Sequence, residues 1–341
     1  MPILAPFVFA SLLPAILLLL ACGFGGIWPF LAVLSITVLV FILDRRLGEK
    51  WELPQDASGH FLSICIGFVH FGVLAACVWG ISKGDHLSVL DRLLIFTGAG
   101  LWFGQVSNSN AHELIHRSAR WPRRLGVAIY CSLLFGHHAS AHPKVHHVHA
   151  ATDQDPNSAR LGEGFYRFFV RAWIGGFRAG LKAENIDRAR SSRILPAWQH
   201  PYVAYVIGGL ATIAFASGLG GFKGIVTLLV LTAYAQIQLF LSDYVQHYGL
   251  RRSRTDDGRV EPMGAKHSWN APHRYSSAMM LNAPRHSDHH MRPTRSFPSL
   301  EIDETEMLML PHALPVMACL ALVPKLWRRV MDKRVAHWVT H

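Results

Sequence analysis

The sequence has 341 residues, 51% of them hydrophobic and only 16% charged, and a mean hydropathy of +0.23, which excludes disorder and an ordinary soluble domain and makes a membrane protein the first expectation. Its 33 Lys and Arg exceed its 22 Asp and Glu by +11, but most of that excess lies in loops beside apolar stretches, so nucleic acid is set aside as a partner. The five cysteines (Cys22, Cys65, Cys77, Cys131, Cys319) lie in or beside apolar runs with no CxxC among them, which supports neither a disulfide framework nor a cysteine-ligated metal.

Crossing ~30 Å of hydrocarbon takes about 20 apolar residues, and runs of that kind fall near 3–21, 26–43, 60–81, 93–110, 199–218 and 223–243. In the first run, Leu19-Leu20-Ala21-Cys22 resembles a lipoprotein cleavage box. No Lys or Arg precedes it, however, and a second apolar run follows within five residues, so it reads as a retained span. Arg45, Arg46 and Lys50 follow the second run, Arg117, Arg120, Arg123 and Arg124 the fourth, and Arg251, Arg252 and Arg254 the sixth, whereas the 22–25 turn carries no charge. Three hairpins are therefore expected to hang from one cytoplasmic face, with both termini on that side.

Leu125 to Phe135 is about half the length of a span, and histidine clusters flank it on both sides. It is expected to be a buried or interfacial helix under the bundle, and 310–326, broken by Pro311, Pro315 and Pro324, reads the same way. The expected fold is a single all-α integral membrane domain of six spans, with residues 111–198 and 244–341 forming a cytoplasmic helical cap.

The sequence contains 21 histidines. His60, His70, His86, His200, His312, His337 and His341 stand apart and read as structural or solvated. Four groups need another account: His112-Glu-Leu-Ile-His116, His142-Pro-Lys-Val-His146-His147, a single His247 at the end of the sixth run, and His286-Ser-Asp-His289-His290. On a helix, positions i and i+4 share a face and i+3 adjoins them, so three of these groups can each aim imidazoles at one point. Nine imidazoles exceed the usual limit of about six ligands on one ion, so two ions with open positions is the economical count. Imidazole alone does not choose among Zn, Cu, Fe and Ni. His112 to His116 also matches HExxH, the zinc metalloprotease signature; a protease needs one further ligand and leaves at least six clustered histidines unexplained.

The series HxxxH, HxxxHH and HxxHH around paired spans resembles the membrane di-iron fatty-acid desaturases and hydroxylases. Four segments are similar to the alkane 1-monooxygenase and xylene monooxygenase branch of that superfamily: Ala111 to Arg117; His142 to His147 with Thr152 to Arg160; Gln246-His-Tyr-Gly-Leu250; and Pro284-Arg-His-Ser-Asp-His-His290, preceded by His267-Ser-Trp-Asn270. The resemblance runs from about Leu43 to Leu300, with two departures: Ala141 and Val145 replace a Glu and a Gly of the family's second box, and Asp243-Tyr-Val-Gln246 replaces its Asn-Tyr-x-Glu. It implies two non-haem Fe ions held by His112, His116, His142, His146, His147, His247, His286, His289 and His290. His137, His138, His149, His267 and His273 match no ligand position. Glu113, Asp153, Asp155, Asp243 and Asp288 are the expected acceptors for ligand imidazole N–H groups.

The reaction implied is terminal hydroxylation of an alkane to a 1-alkanol with O2 and two electrons, in a bacterial inner membrane; an alkyl-aromatic methyl group, as in the xylene branch, or a lipid acyl chain are the alternative substrates. A channel walled by Trp28, Phe68, Trp79, Trp102 and Phe103 is expected to lead an apolar substrate from the lipid to the iron. The chain has no GxGxxG and no cysteine box, so electrons must come from outside. The resemblance implies a rubredoxin or a ferredoxin-type donor served by an NADH-dependent reductase. Arg167, Arg171, Arg178, Lys182, Arg188, Arg190 and Arg193 are basic enough to steer an acidic donor or to bind anionic lipid head groups.

Overall fold

The computed structural model describes residues 4–48, 57–193 and 195–339; Lys50 and His341 lie outside the described residues. Among them, the only paired strands are β1 (Trp269–Asn270) and β2 (Leu308–Met309), two residues each and parallel; helices joined by loops make up the rest. Among the described residues, four helical runs are long and apolar enough to cross a membrane: α1 (Ala5–Phe24), α2 (Ile27–Leu47), α3 (His60–Lys83) and a 47-residue run, Pro201–His247. The chain is a membrane protein. Its helices keep large apolar side chains on their outer faces, such as Phe61 at 77% and Phe222 at 79% exposure, as a surface facing lipid requires.

The local chemistry explains the turns. Gly25 and Gly26, at φ +61° and +64°, reverse the chain in the left-handed region that other residues disfavour, and α2 packs back along α1. Helix α4 (Val89–Trp102) opens with a reciprocal cap: Asp91 N donates to Ser88 Oγ at 3.1 Å and Ser88 N donates to Asp91 Oδ2 at 2.9 Å. It passes into a π turn (Phe103–Ser107) and then α5 (Asn108–Ile115). The stretch expected as one span near 93–110 is therefore three joined pieces, because a π turn inserts a residue and rotates everything after it. His70 of α3 braces that turn from inside, its ring nitrogens 2.6 Å from Ser107 Oγ and 2.7 Å from Ser132 Oγ.

Helix α6 (Arg120–Ser132) has 13 residues, about 20 Å long and short of the ~30 Å needed to span. After it comes α7 (Phe165–Arg190). The 47 residues of α8 (Pro201–His247) would extend ~70 Å if straight, but at Gly221 the backbone leaves helical geometry with φ 59° and ψ −144°. The runs expected at 199–218 and 223–243 are thus two limbs of one element that turns at Gly221. The remaining helices are α9 (Arg274–Met279), α10 (His286–Met291), α11 (Leu314–Ala321) and α12 (Pro324–Val339).

Polar pins hold the bundle together where it must be exact in register. Trp102 Nε1 donates to Ser11 O across α4 and α1 at 2.9 Å, and Asn110 Nδ2 of α5 donates to Ser63 O of α3 at 2.9 Å. Asn108 Nδ2 donates to Ala235 O of α8 at 3.0 Å. These bonds fix α5 and the end of α8 beside each other, and both carry histidines.

Candidate metal centre

The histidines arrive on four supports. His112 lies on α5 and His116 caps it, His247 ends α8, and α10 carries His286, His289 and His290. The second cluster lies on a π turn, His142–His146. Lys144 on that turn pairs with Glu184 and Asp187 of α7 at 2.8 and 2.6 Å, and Ser140 Oγ donates to Glu184 Oε1 at 2.6 Å, so α7 clamps the segment in place.

The nine imidazoles meet in two groups, the ligand nitrogens of each lying within 4.8 Å of one another: His112, His116, His142, His147 and His289 in one, and His146, His247, His286 and His290 in the other. Each sequence cluster aims two imidazoles at one point, as expected: His112 and His116, His142 and His147, and His286 and His290. His142 and His147 point to the five-histidine group while His146 between them points to the other. The π turn is the reason. His147 N donates to His142 O, an i→i+5 bond, so residue i+5 rather than i+4 stacks over residue i. On α10, His286 and His290 share a face in ordinary i, i+4 fashion and His289 is offset to the other group.

Neighbouring Nε2 atoms stand close: His112 to His142 at 2.7 Å, His142 to His147 and His147 to His289 at 3.0 Å, His247 to His286 at 2.9 Å, and His286 to His290 at 3.1 Å. Such spacings match the edge of about 3.0 Å between adjacent ligands at right angles with metal–nitrogen bonds of about 2.1 Å. His116 Nε2 and His146 Nε2 are buried without a hydrogen-bond partner, an unlikely economy for polar atoms that have no ion to meet. The donor set fits metal.

Burial and mutual repulsion hold His142, His147, His286, His289 and His290 well below the ordinary imidazole range, so they are neutral and ready to ligate at neutral pH. His146 differs. Burial drags its pKa down, but the Asp155 carboxylate outweighs burial and raises it, and Asp155 is held low in turn.

Asp155 is the one expected carboxylate that reaches an imidazole: its Oδ2 accepts from His146 Nδ1 at 2.9 Å and from Ser158 Oγ at 2.7 Å, and its Oδ1 accepts from Asn157 N at 3.0 Å. The structure places the other four elsewhere. Glu113 pairs with Arg117 and accepts from Phe297 N at 3.2 Å. Asp243 accepts from Asn157 Nδ2 at 2.6 Å, and Asp288 binds Arg292 and Arg295, both at 3.0 Å. Asp153, with its side chain 82% exposed, lies 3.6 Å from Arg251. Proximity in sequence does not ensure reach, because helix phase turns Glu113 and Asp288 away from the ligand faces of α5 and α10. His247 Nδ1 finds its acceptor in a main-chain carbonyl, His267 O at 3.3 Å, which no side-chain pattern announces. Asn157 and Ser158, not singled out from the sequence, complete the polar net; their signal was the Thr152 to Arg160 segment. His137, His138, His149, His267 and His273 belong to neither histidine group.

Left-handed backbone occurs at Leu134, Ala151, Leu281 and Asn282, with φ between 49° and 59°. All four lie at the edges of histidine-bearing segments, where strain of order 1–3 kcal/mol is tolerated if the surroundings enforce it.

One cavity touches the histidine groups and shares part of its lining with a larger one. The inner one, of ≈ 70 Å³, is lined by His112, His142 and His286, drawn from both groups. The outer one, of ≈ 490 Å³, lies among α2, α4, α8 and α11, with Ile36, Val40, Phe41, Leu101, Ile237 and Leu241 in its wall. Gln105, Gln238, Pro315 and Ala318 line both. None of the five expected channel residues lines either. Phe68 and Trp79 face outward at 56% and 41% exposure, Trp102 and Phe103 are buried in the bundle, and Trp28 packs against the core. The aromatic residues expected to wall a channel serve instead as packing and outward-facing surface.

The sequence profile of the fatty acid desaturase family matches residues 90–306. The chain is 31% identical to "Alkane 1-monooxygenase 1" of Alcanivorax borkumensis over 92% of its own length and 79% of that protein's. It is 33% identical to "Alkane 1-monooxygenase" of Acinetobacter baylyi over 87% of its length and 74% of that protein's. It is 27% identical to the hydroxylase component of a xylene/toluene monooxygenase of Pseudomonas putida, over 92% and 85%.

Proposed function

The chain belongs to the fatty acid desaturase family, among its alkane 1-monooxygenases, and from that premise we propose that it hydroxylates alkanes at a terminal methyl group, with two iron ions held by the two histidine groups. The overall change is alkane plus O2, two electrons and two protons to 1-alkanol plus water. Iron at these groups would supply the redox chemistry that activates O2 towards an unactivated C–H bond.

The protein's own part is to bind, orient and exclude. The outer cavity, within the ~300–1,000 Å³ range of small-molecule sites, takes an apolar chain from the bilayer, where such a molecule concentrates. The inner cavity has room for only a few water-sized groups, so one end of the chain enters and the rest stays behind the Gln105–Gln238 neck. That restriction is what favours attack at the terminus. The observation that carries the reading is this pairing of a narrow, histidine-lined chamber with an apolar chamber opening among the spanning helices.

We read α8 as two spans joined at Gly221, and the α4 to α5 run as a further span, giving six with the histidine end and both termini in the cytoplasm of a bacterial inner membrane. An external donor, a rubredoxin or a ferredoxin-type protein with its NADH-dependent reductase, supplies electrons at that face. Arg167, Arg178, Lys182, Arg190 and Arg193 stay available for its acidic surface, whereas Arg171 is engaged by Glu163 at 2.6 Å and by Pro156 O at 2.8 Å, and Arg188 by Leu195 O at 2.7 Å.

The likeness to the xylene monooxygenase component keeps an alkyl-aromatic methyl group as a second substrate class. Membranes supplied with reductase and donor, given octane, hexadecane and p-xylene in turn, decide between them by chromatography of the alcohols. 1-Octanol or 1-hexadecanol as the main product supports the reading; 4-methylbenzyl alcohol alone favours the second class. One Zn and no Fe per chain would sink the iron reading and revive the HExxH protease.

A further inference from the structure

The wall between the two cavities changes chemistry. The outer chamber is mostly aliphatic and aromatic, with Asp44, Arg45, His273 and His312 also in its wall, and where it shares lining with the inner one it carries two amides, Gln105 on the π turn and Gln238 on α8. Their approach is built in. A Cβ on Gly104 would sit 2.3 Å from Gln238 Cβ, so only glycine lets the two elements close to this distance. Ser109 and Ser242, one turn further along each element, continue the polar lining inward.

Gln105 Oε1 is buried with no hydrogen-bond partner. An alkane passing the neck cannot satisfy that oxygen, and burying an unpaired amide is costly. A polar wall therefore makes poor sense for the substrate and good sense for a guest that carries a donor at one end of an apolar chain. The alkanol formed beyond the neck is such a molecule.

We propose that the Gln105–Gln238 neck is a binding site for the hydroxyl group of a primary alcohol, with Gln105 Oε1 accepting its O–H while its hydrocarbon chain lies back in the outer chamber. The hydroxyl is drawn away from the histidines into the neck, and the product leaves along the route by which the alkane entered. This inference rests on the hydroxylation reading for the origin of the alcohol, but the site itself binds alcohol whether or not turnover occurs.

The test uses the full chain in lipid nanodiscs, as wild type, Gln105→Leu and Gln105→Glu, the last keeping an acceptor oxygen at the same reach. Product inhibition by 1-octanol against octane is measured alongside equilibrium dialysis of labelled 1-hexanol, with empty nanodiscs as the blank. Losing one neutral hydrogen bond weakens binding about tenfold. Gln105→Leu is expected to raise the 1-octanol inhibition constant and the 1-hexanol dissociation constant by about that factor, well beyond any change in the octane KM and with iron content held, and Gln105→Glu to restore both. Equal 1-hexanol retention by wild type and Gln105→Leu overturns the proposal, as does a rise in octane KM that matches the rise in the inhibition constant. Wild-type protein that retains 1-hexanol through Gln105 but makes no 1-octanol supports the neck and refutes the hydroxylation reading instead.

Discussion

Asp155→Ala is expected to unload one metal position and spare the other. The carboxylate is 2% exposed and accepts three hydrogen bonds, from His146, Ser158 and Asn157, at 2.9, 2.7 and 3.0 Å. Removing it from a buried charged pair costs about 3–5 kcal/mol of stability, partly because Asn157 N loses its acceptor. The effect on metal is separate. Without its acceptor the His146 ring loses a fixed orientation and tautomer, and such supports are typically worth 10–100-fold in metal affinity, or about 1.4–2.7 kcal/mol. His146 belongs to the four-histidine group alone, so iron should fall from about two to about one per chain under mild chelation, the economical count for nine imidazoles being two ions. Inductively coupled plasma mass spectrometry on purified protein, after dialysis against graded chelator, reads this directly. Asp243→Asn is the matched control, because Asp243 binds Asn157 and no histidine. Retention of both ions at wild-type chelator resistance would refute the argument, and so would loss of both in step, since the two groups would then not be separately supported.

Three further outcomes are expected. His247→Ala should abolish hydroxylation and lower bound iron while the protein still inserts, whereas His200→Ala, which removes an acceptor for Tyr202 N at 3.1 Å and a contact with Asn185 Oδ1 at 3.2 Å, should do neither; full iron in His247→Ala would leave the four-histidine group with three. Metal-free protein should lose stability as pH falls below about 6.5, because the unfolded chain then protonates His142, His147, His286, His289 and His290 while burial keeps them neutral in the fold. Each contributes up to ~1.4 kcal/mol per pH unit between its unfolded and folded pKa values, and a thermal midpoint that stays flat from pH 7.5 to 5 would contradict this. Gly104→Ala should cost about 1–3 kcal/mol through overpacking against Gln238, whose Cβ lies 2.3 Å from the added carbon, and should slow octane turnover without loss of iron; unchanged turnover would show that the neck lies off the substrate route.

Hydropathy made the bundle legible because lipid demands long apolar runs, and α1, α2 and α3 follow the expected limits within a few residues. It failed where backbone geometry departs from the α-helix. The π turn at Phe103–Ser107 is invisible to a hydropathy window, so the sequence points to a wall of tryptophans and phenylalanines where the structure has Gln105 and Gln238. Carboxylates were misjudged for a related reason: Asp288, between His286 and His289 in sequence, points to Arg292 and Arg295, because helix phase decides reach and adjacency does not.

The same geometry explains why the histidine boxes take the form they do. An HxxxH on an α-helix feeds one group, as His112 and His116 do. A box that must feed two groups needs imidazoles on diverging faces, and doubling the last histidine supplies this in two ways. On α10, His289 and His290 diverge as neighbours must, and His290 stays with His286. On the π turn the partner of His142 becomes His147, and His146 is released to the other group. Straightening that turn into an α-helix would return His146 to the face of His142 and swing His147 away. The pairing of Asp155 with His146 at 2.9 Å, and of Lys144 with Glu184 at 2.8 Å, secures the π form from both sides. The HxxxHH spacing therefore serves two histidine groups only in combination with a backbone that stacks residue i+5 over residue i.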